Sequence, residues 1–350
     1  MFAVQDEIAA AIAAKLLVTF VPPAEPVGKA TTAEVEAFEL VAKGRALSLR
    51  RGTSLLMARE CLERAIELDP DNAAAHAVLC DTLVALVRYS LLPVEEGRPL
   101  AKAALARALA LDPTQAEAMG ALALVSLFFD HDVRAASEWW ERALALQPRL
   151  SDVRAYYAVN ALFCMAQDDE AVLAQFERAV SDDPLSATCA GIYSAVLANS
   201  GRGEKAVTEA KRAVELDPNS FVAAFARIAA LVNIRDASAI RAISDAVARF
   251  GRHLLFLQSL PRAYLNHGDM RRAEAAYAEL RARSEIDAIP RSSLAVAANA
   301  LGHTDDAIQF ALDSVERCDA LNPIWTRLPF ATDAIRAHPR YPELMRAIGL

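Results

Sequence analysis

Arg64-Ala65-Ile66-Glu67-Leu68-Asp69-Pro70 returns as Arg107-Ala108-Leu109-Ala110-Leu111-Asp112-Pro113 and as Arg212-Ala213-Val214-Glu215-Leu216-Asp217-Pro218. These prolines, together with Pro148 and Pro184, stand 43, 35, 36 and 34 residues apart. Arginine precedes each proline by six places (Arg64, Arg107, Arg142, Arg178, Arg212) and alanine by five (Ala65, Ala108, Ala143, Ala179, Ala213). Eight places before it comes a bulky apolar group in four of five cases (Leu62, Leu105, Trp140, Phe176, but Ala210). Twelve places before it comes a mostly small residue: Ala58, Ala101, Ala136, Val172 and Ala206. Each column has a physical use. Small side chains let two helices approach closely, the bulky one fills the hole beside them, and the residue before proline is pushed out of the helical region, so the helix ends there.

The columns resemble the tetratricopeptide repeat, a helix-turn-helix unit of about 34 residues with an A-x-x-x-F pattern and a terminal proline. Beyond Pro218, Gly268 and Gly302, like Gly201 before it, each precede an alanine by five residues (Ala206, Ala273, Ala307), which carries the period to about residue 320. The stretch Arg235 to His253 departs from the pattern, and Pro93, Gly97 and Pro99 in the 43-residue step predict a longer loop between helices. The resemblance implies an all-α, right-handed α-solenoid of about eight helix pairs. The expected organisation is an amphipathic helix over 1–21, a proline-rich linker over 22–34, the solenoid over 35–325 and a cap over 326–350 that shields the last apolar face.

Composition agrees with a folded helical chain. Of 350 residues, 54% are hydrophobic and only 7% aromatic, roughly a fifth are alanine, and no Asn-Gly or Asp-Gly hairpin dipeptide occurs. With 37 Lys+Arg against 45 Asp+Glu, the net charge of -8 argues against a nucleic-acid partner, because phosphate binding draws on clustered cations. Five dispersed cysteines without a C-x-x-C pair suggest a reducing, cytoplasmic setting. Ile8 to Val21 is apolar apart from Lys15 and Thr19, but Asp6 and Glu7 precede it, which fits neither a secretory signal nor a membrane span. Val4, Ile8, Ile12 and Leu16 instead recur every four residues, an apolar helical stripe that could carry self-association.

Phe2-Ala3-Val4-Gln5-Asp6-Glu7-Ile8, Phe38 to Arg45 and the closing His338-Pro339-Arg340-Tyr341-Pro342-Glu343-Leu344 are similar to segments of a narrower group. Those are the C-terminal repeat regions of bacterial class III adenylate/guanylate cyclases and winged-helix transcriptional regulators. That resemblance implies a non-catalytic regulatory or dimerisation module acting on an upstream domain. The cyclase activity itself is not implied, since no metal-binding aspartate pair in a cyclase setting is visible.

No GxxxxGK[ST], GxSxG, HExxH or SxxK occurs, so no enzyme, metal or cofactor is expected. His76 and Cys80 have metal-ligand spacing on a helix, yet Cys80 falls in the small-residue packing column with Ala123, Ala158 and Ser194. Gly201-Arg202-Gly203, His131-Asp132 and His267-Gly268-Asp269 fall at turns between helices. Trp140 belongs to the bulky core column, whereas adjacent Trp139 points elsewhere and is a candidate contact residue.

In tetratricopeptide proteins the first helix of each pair lines a concave groove that receives a peptide segment. Carried over position by position, the resemblance implies a groove of Asp81 and Ala85, Leu124 and Phe128, Val159 and Phe163, Ala195 and Asn199, Ala229 and Asn233. Scarcely any is basic, so an acidic peptide is a poor ligand. Phe128 and Phe163 suggest an apolar ledge or else support neighbouring helices, and Asn199 and Asn233 could hydrogen-bond a partner's backbone. The expected function is a non-enzymatic scaffold binding a protein or peptide segment there.

Overall fold

The computed structural model describes residues 32–162, 169–284, 290–318 and 332–350, and every regular element among them is helical. The expected amphipathic stripe and most of the linker therefore lie outside the described residues. Helix α1 (Thr32–Arg50) pairs with α2 (Ser54–Leu68), α3 (Ala73–Arg88) with α4 (Val94–Leu111), and α5 (Ala116–Phe128) with α6 (Val133–Leu146). Next, α7 (Ser151–Tyr157), continued by a π-helical turn over Ala158–Leu162, pairs with α8 (Asp169–Asp182). Helix α9 (Ala187–Asn199) pairs with α10 (Gly203–Leu216), and α11 (Phe221–Asn233) with α12 (Ala239–Phe250). Two short helices, α13 (Leu254–Leu257) and α14 (Leu260–Asn266), precede α15 (Met270–Ser284), and α16 (Arg291–Leu301) pairs with α17 (Thr304–Glu316). The described chain is thus an all-α solenoid of eight helix pairs. It closes with α18 (Asp333–Arg336) and α19 (Tyr341–Ala347).

The turn chemistry anticipated from the prolines sets the boundaries. Helices α2, α4, α6 and α10 stop one residue short of Asp69, Asp112, Gln147 and Asp217, whose backbones are extended (ψ 84–97°) ahead of proline. Two residues after the proline, Asn72, Ser186 and Ser220 cap the next helix by accepting from the N–H of Ala75, Cys189 and Ala223. The small and bulky columns form the core: all five alanines from Ala65 to Ala213 are fully buried, as are Leu62 and Phe176. Trp140 is sealed among them at 1% exposure. First helices such as α3 and α5 are mostly apolar and buried on most sides, and they touch the first helices of neighbouring pairs (α1–α3, α3–α5, α7–α9, α9–α11), forming the inner layer. Second helices bury one stripe and face water with the rest.

Two local expectations differ. The 43-residue step is absorbed by lengthening α4, which begins at Val94 and contains Pro99, rather than by a long loop. Pro99 sits in the second turn, where its missing N–H removes one i→i−4 hydrogen bond, and Gly97 lets α4 settle against Val87 and Leu92, where a Cβ would collide. The stretch Arg235 to His253, expected to depart from the pattern, holds the unbroken helix α12, and the break falls in the unit after it, whose first helix is split in two with Pro261 in the first turn of α14.

The solenoid is coiled tightly enough to touch itself. The corner between α1 and α2, residues 48–52, crosses the inner layer and reaches the fifth and sixth pairs. Arg50 Nε pairs with Asp217 at 2.7 Å, the Leu49 carbonyl accepts from Thr188 Oγ1 at 3.0 Å, and Gly52 abuts Phe221. At the other end Arg98 Nη2 donates to Cys318 Sγ at 3.3 Å, and Gly349 lies against the carbonyl of His131. Helix α19 packs on α17, burying Leu344 and Ile348 with Ile308 and Leu294.

Candidate functional site

The corner divides the inner face into two hollows. The first, about 60 Å³, lies among α1, α3, α5 and α7 and is lined by Asp81 and Leu124 together with Arg45, Glu117, Asp152 and Tyr156. Arg45 grips Glu117 with both guanidinium nitrogens. Among the described residues Asp152 accepts only from its own helix, at the Val153 N–H (2.9 Å), and burial followed by the nearby Asp81 and Glu117 charges raises its pKa. Three carboxylates therefore share this hollow with a single lining guanidinium. The second hollow, about 120 Å³, is lined by Val159 and Ala195 with Arg51, Arg88, Asn160 and Phe221.

Arg51 is the partition between them. It adopts a left-handed backbone (φ 62°) beside Gly52 (φ 61°), a conformation that costs about 1–3 kcal/mol outside glycine and persists only where surroundings hold it. Here the guanidinium, 3% exposed, donates to Tyr156 Oη, to Ser48 Oγ at 3.3 Å and to Asp81 Oδ2 at 3.4 Å. Burial works against its charge while Asp81 and Tyr156 favour it, and the net effect holds Arg51 protonated. Its role was not legible in the sequence, because the repeat pattern assigns position 51 to a solvent turn.

The groove positions inferred from the repeat behave differently from one another. Asp81, Leu124, Val159 and Ala195 do converge on the two hollows. Phe128 does not form a ledge: it is fully buried, with the Arg88 guanidinium 3.8 Å from its ring centroid, because its side of α5 packs against α3. Asn199 and Asn233 turn back on their own helices, donating to the carbonyls of Ala195 (2.6 Å) and Ala229 (3.0 Å). Ala85 is buried in the core. Phe163 lies outside the described residues. Trp139 is half-buried with Arg142 over its ring at 4.7 Å. Among the aligned arginines, Arg107 reaches Asp71 and Arg212 reaches Glu209, as intramolecular pairs.

His76 Nε2 meets the Pro70 carbonyl at 3.0 Å, and Cys80 is a core residue whose thiol burial pushes up. Among the described residues no group of three or more His, Cys, Asp or Glu is placed to hold a metal ion, and no helix is long and apolar enough to cross a membrane.

Residues 54–72 match the family model for the tetratricopeptide repeat. The chain carries a tetratricopeptide repeat. Among solved structures, a human IFIT1 dimer with PPP-AAAA is similar at a TM-score of 0.51 and 16% identity, covering 82% of this chain and 73% of that one. A tetratricopeptide repeat protein from Parabacteroides merdae is similar at a TM-score of 0.46 and 13% identity, over 77% and 98% of the two chains. Pseudomonas aeruginosa pilF follows at 0.42 and 20%, over 59% and 93%. At these identities the likeness is one of fold. No curated protein matches the chain. What the chain shares with the IFIT1 structure is a solenoid of stacked helix pairs. Nothing in these likenesses extends to the cyclases and winged-helix regulators that the flanking segments resemble.

Proposed function

We propose that the protein is a non-enzymatic scaffold that binds a partner segment along the inner face of its first four helix pairs, seating a basic side chain in the first hollow. The observation that carries this reading is Asp152: Glu117 is committed to Arg45 and Asp81 to Arg51, which leaves Asp152 as the carboxylate lining the hollow that has no ion pair among the described residues. Burying a lone carboxylate costs free energy that a partner's cation offsets. About 60 Å³ suits the head of a side chain rather than a length of backbone. Leu124 supplies the apolar floor for the stem of such a side chain.

The test is affinity capture from lysate of the source organism with wild type and Asp152→Arg, which supplies the cation from within, each variant checked for helicity by circular dichroism. The reading expects a partner held by wild type, released by moderate salt and lost by the folded variant. Equal capture by both would count against an acidic recognition hollow.

A further inference from the structure

Helix α3 lies between α1 and α5, whereas α1 leads the described chain and has α3 on one side only. Its inward stripe, Ala37, Val41, Gly44 and Leu47, is buried. Its outward stripe, Val35, Phe38, Ala42 and Ala46, is exposed and equally apolar. Steps of three and four residues set these four on one helix face. Phe38 is 73% exposed, and among the described residues it is the one exposed aromatic side chain. The end unit of a repeat array keeps a polar outer face for solubility, so a bare apolar stripe at this place calls for a cover.

We propose that the cover is the chain's own N-terminal stripe: residues 4–16 lie as a helix antiparallel on α1, with Leu16 against Val35, Ile12 against Phe38, Ile8 against Ala42 and Val4 against Ala46. The two stripes match in length, about 18 Å for residues 4–16 and about 17 Å for 35–46 at about 1.5 Å per residue. This register reverses the chain at residues 25–26, inside the stretch where Pro22, Pro23 and Pro26 break a continuous helix and Gly28 eases the turn. The ten residues 22–31 reach up to about 33 Å, ample for packed helix axes about 8–10 Å apart. Charge sets the direction. The segment is acidic early, at Asp6 and Glu7, and basic late, at Lys15, while α1 is acidic early, at Glu36 and Glu39, and basic later, at Lys43. Antiparallel packing therefore opposes unlike charges at both ends, and parallel packing opposes like charges. A second copy of α1 would satisfy the same charges, but the tether holds the segment beside α1 at an effective concentration of about millimolar, which a separate molecule at ordinary concentration does not reach.

The experiment is disulfide trapping in the full chain. Ile8→Cys with Ala42→Cys samples the antiparallel register, and Val4→Cys with Val35→Cys the parallel one. Oxidation at micromolar protein, followed by peptide mass spectrometry, should link residues 8 and 42 within one chain and leave 4 and 35 unlinked. Linkage of the 4–35 pair, linkage between chains only, or linkage of neither pair would overturn the proposal. Hydrogen exchange gives a reading that needs no new cysteine: the amides of residues 4–16 should exchange roughly tenfold more slowly in wild type than in Phe38→Asp, with α5 unchanged. Phe38 is exposed on the solenoid itself, so this substitution leaves the helix pairs folded, and equal exchange in the two forms counts against the docking. Sedimentation should give the mass of one chain, and a dimer that Phe38→Asp dissociates would assign the stripe to a second copy instead. Because the acidic hollow plays no part in it, the outcome is independent of the partner-binding test.

Discussion

Gly52→Ala tests whether the α1–α2 corner is locked into the solenoid. At φ 61° an L-residue costs about 1–2 kcal/mol in backbone strain. A Cβ built there would stand 2.7 Å from Phe221 Cδ2 and 3.1 Å from its Cγ, well inside the 3.5–4.0 Å of a good carbon contact. The ring has nowhere to retreat: it is 2% exposed, with Phe256, His253, Tyr89 and Phe250 at centroid distances of 4.4, 4.7, 5.6 and 5.8 Å. Relieving the overlap by shifting the corner or the ring cluster should cost about 1–3 kcal/mol more. Gly201→Ala is the matched control, because it has φ 75° and nothing within 4 Å of its Cβ, so it pays the backbone term alone. Urea unfolding followed by far-UV circular dichroism should place Gly52→Ala about 1–3 kcal/mol below Gly201→Ala, compared at the first transition because a repeat array need not unfold in one step. In a Phe221→Ala background the extra penalty should vanish, since the two positions are then uncoupled. If Gly52→Ala is no worse than Gly201→Ala in wild type, the corner does not pack on Phe221 and the self-contacting solenoid is wrong.

Burial lowers His253 to about 4, with a hydrogen bond to the Tyr89 backbone opposing it, against about 6.5 in an unfolded chain. The unfolded state therefore takes up the proton first as pH falls, so this stability is whole above about pH 6.5 and is lost towards pH 4, to the extent of about 2–3 kcal/mol. The urea midpoint of wild type minus that of His253→Leu should shrink over that window, and a constant difference would refute the assignment. Phe128→Ala should cost about 3–5 kcal/mol, as a fully buried ring under Arg88, whereas exposed Asn233→Ala should stay within about 0.5 kcal/mol. Calorimetric melting of the two variants distinguishes core from rim. Asn72→Ala removes the cap on Ala75 and should cost about 1 kcal/mol, visible as a lowered unfolding midpoint; no change would mean the cap is not formed in solution.

The helix pairs were legible in the sequence because their determinants are local. The Asp-Pro ends at Pro70, Pro113 and Pro218 follow from the steric demand of proline on one preceding residue. The buried columns at Ala65, Leu62 and Ala58 follow from the spacing of a single helix face. The same local reasoning located Asp81, Leu124, Val159 and Ala195 on the inner layer, since first helices repeat their orientation from unit to unit. It misplaced Phe128, because whether an apolar residue of a mostly apolar helix faces a groove or a neighbour depends on how closely the neighbour packs. Pro99 likewise reads as a loop residue, yet sits in α4, where Gly97 allows close packing.

By itself the sequence determined a solenoid of helix pairs, its period, its turns and its core. Only the tertiary structure decided that Arg51 in a turn becomes the buried partition of the inner face, and that Phe221 meets Gly52 from 169 positions away. The physical reason is the curvature of the array: small rotations between successive pairs accumulate until distant units touch, and no short stretch of sequence records that sum.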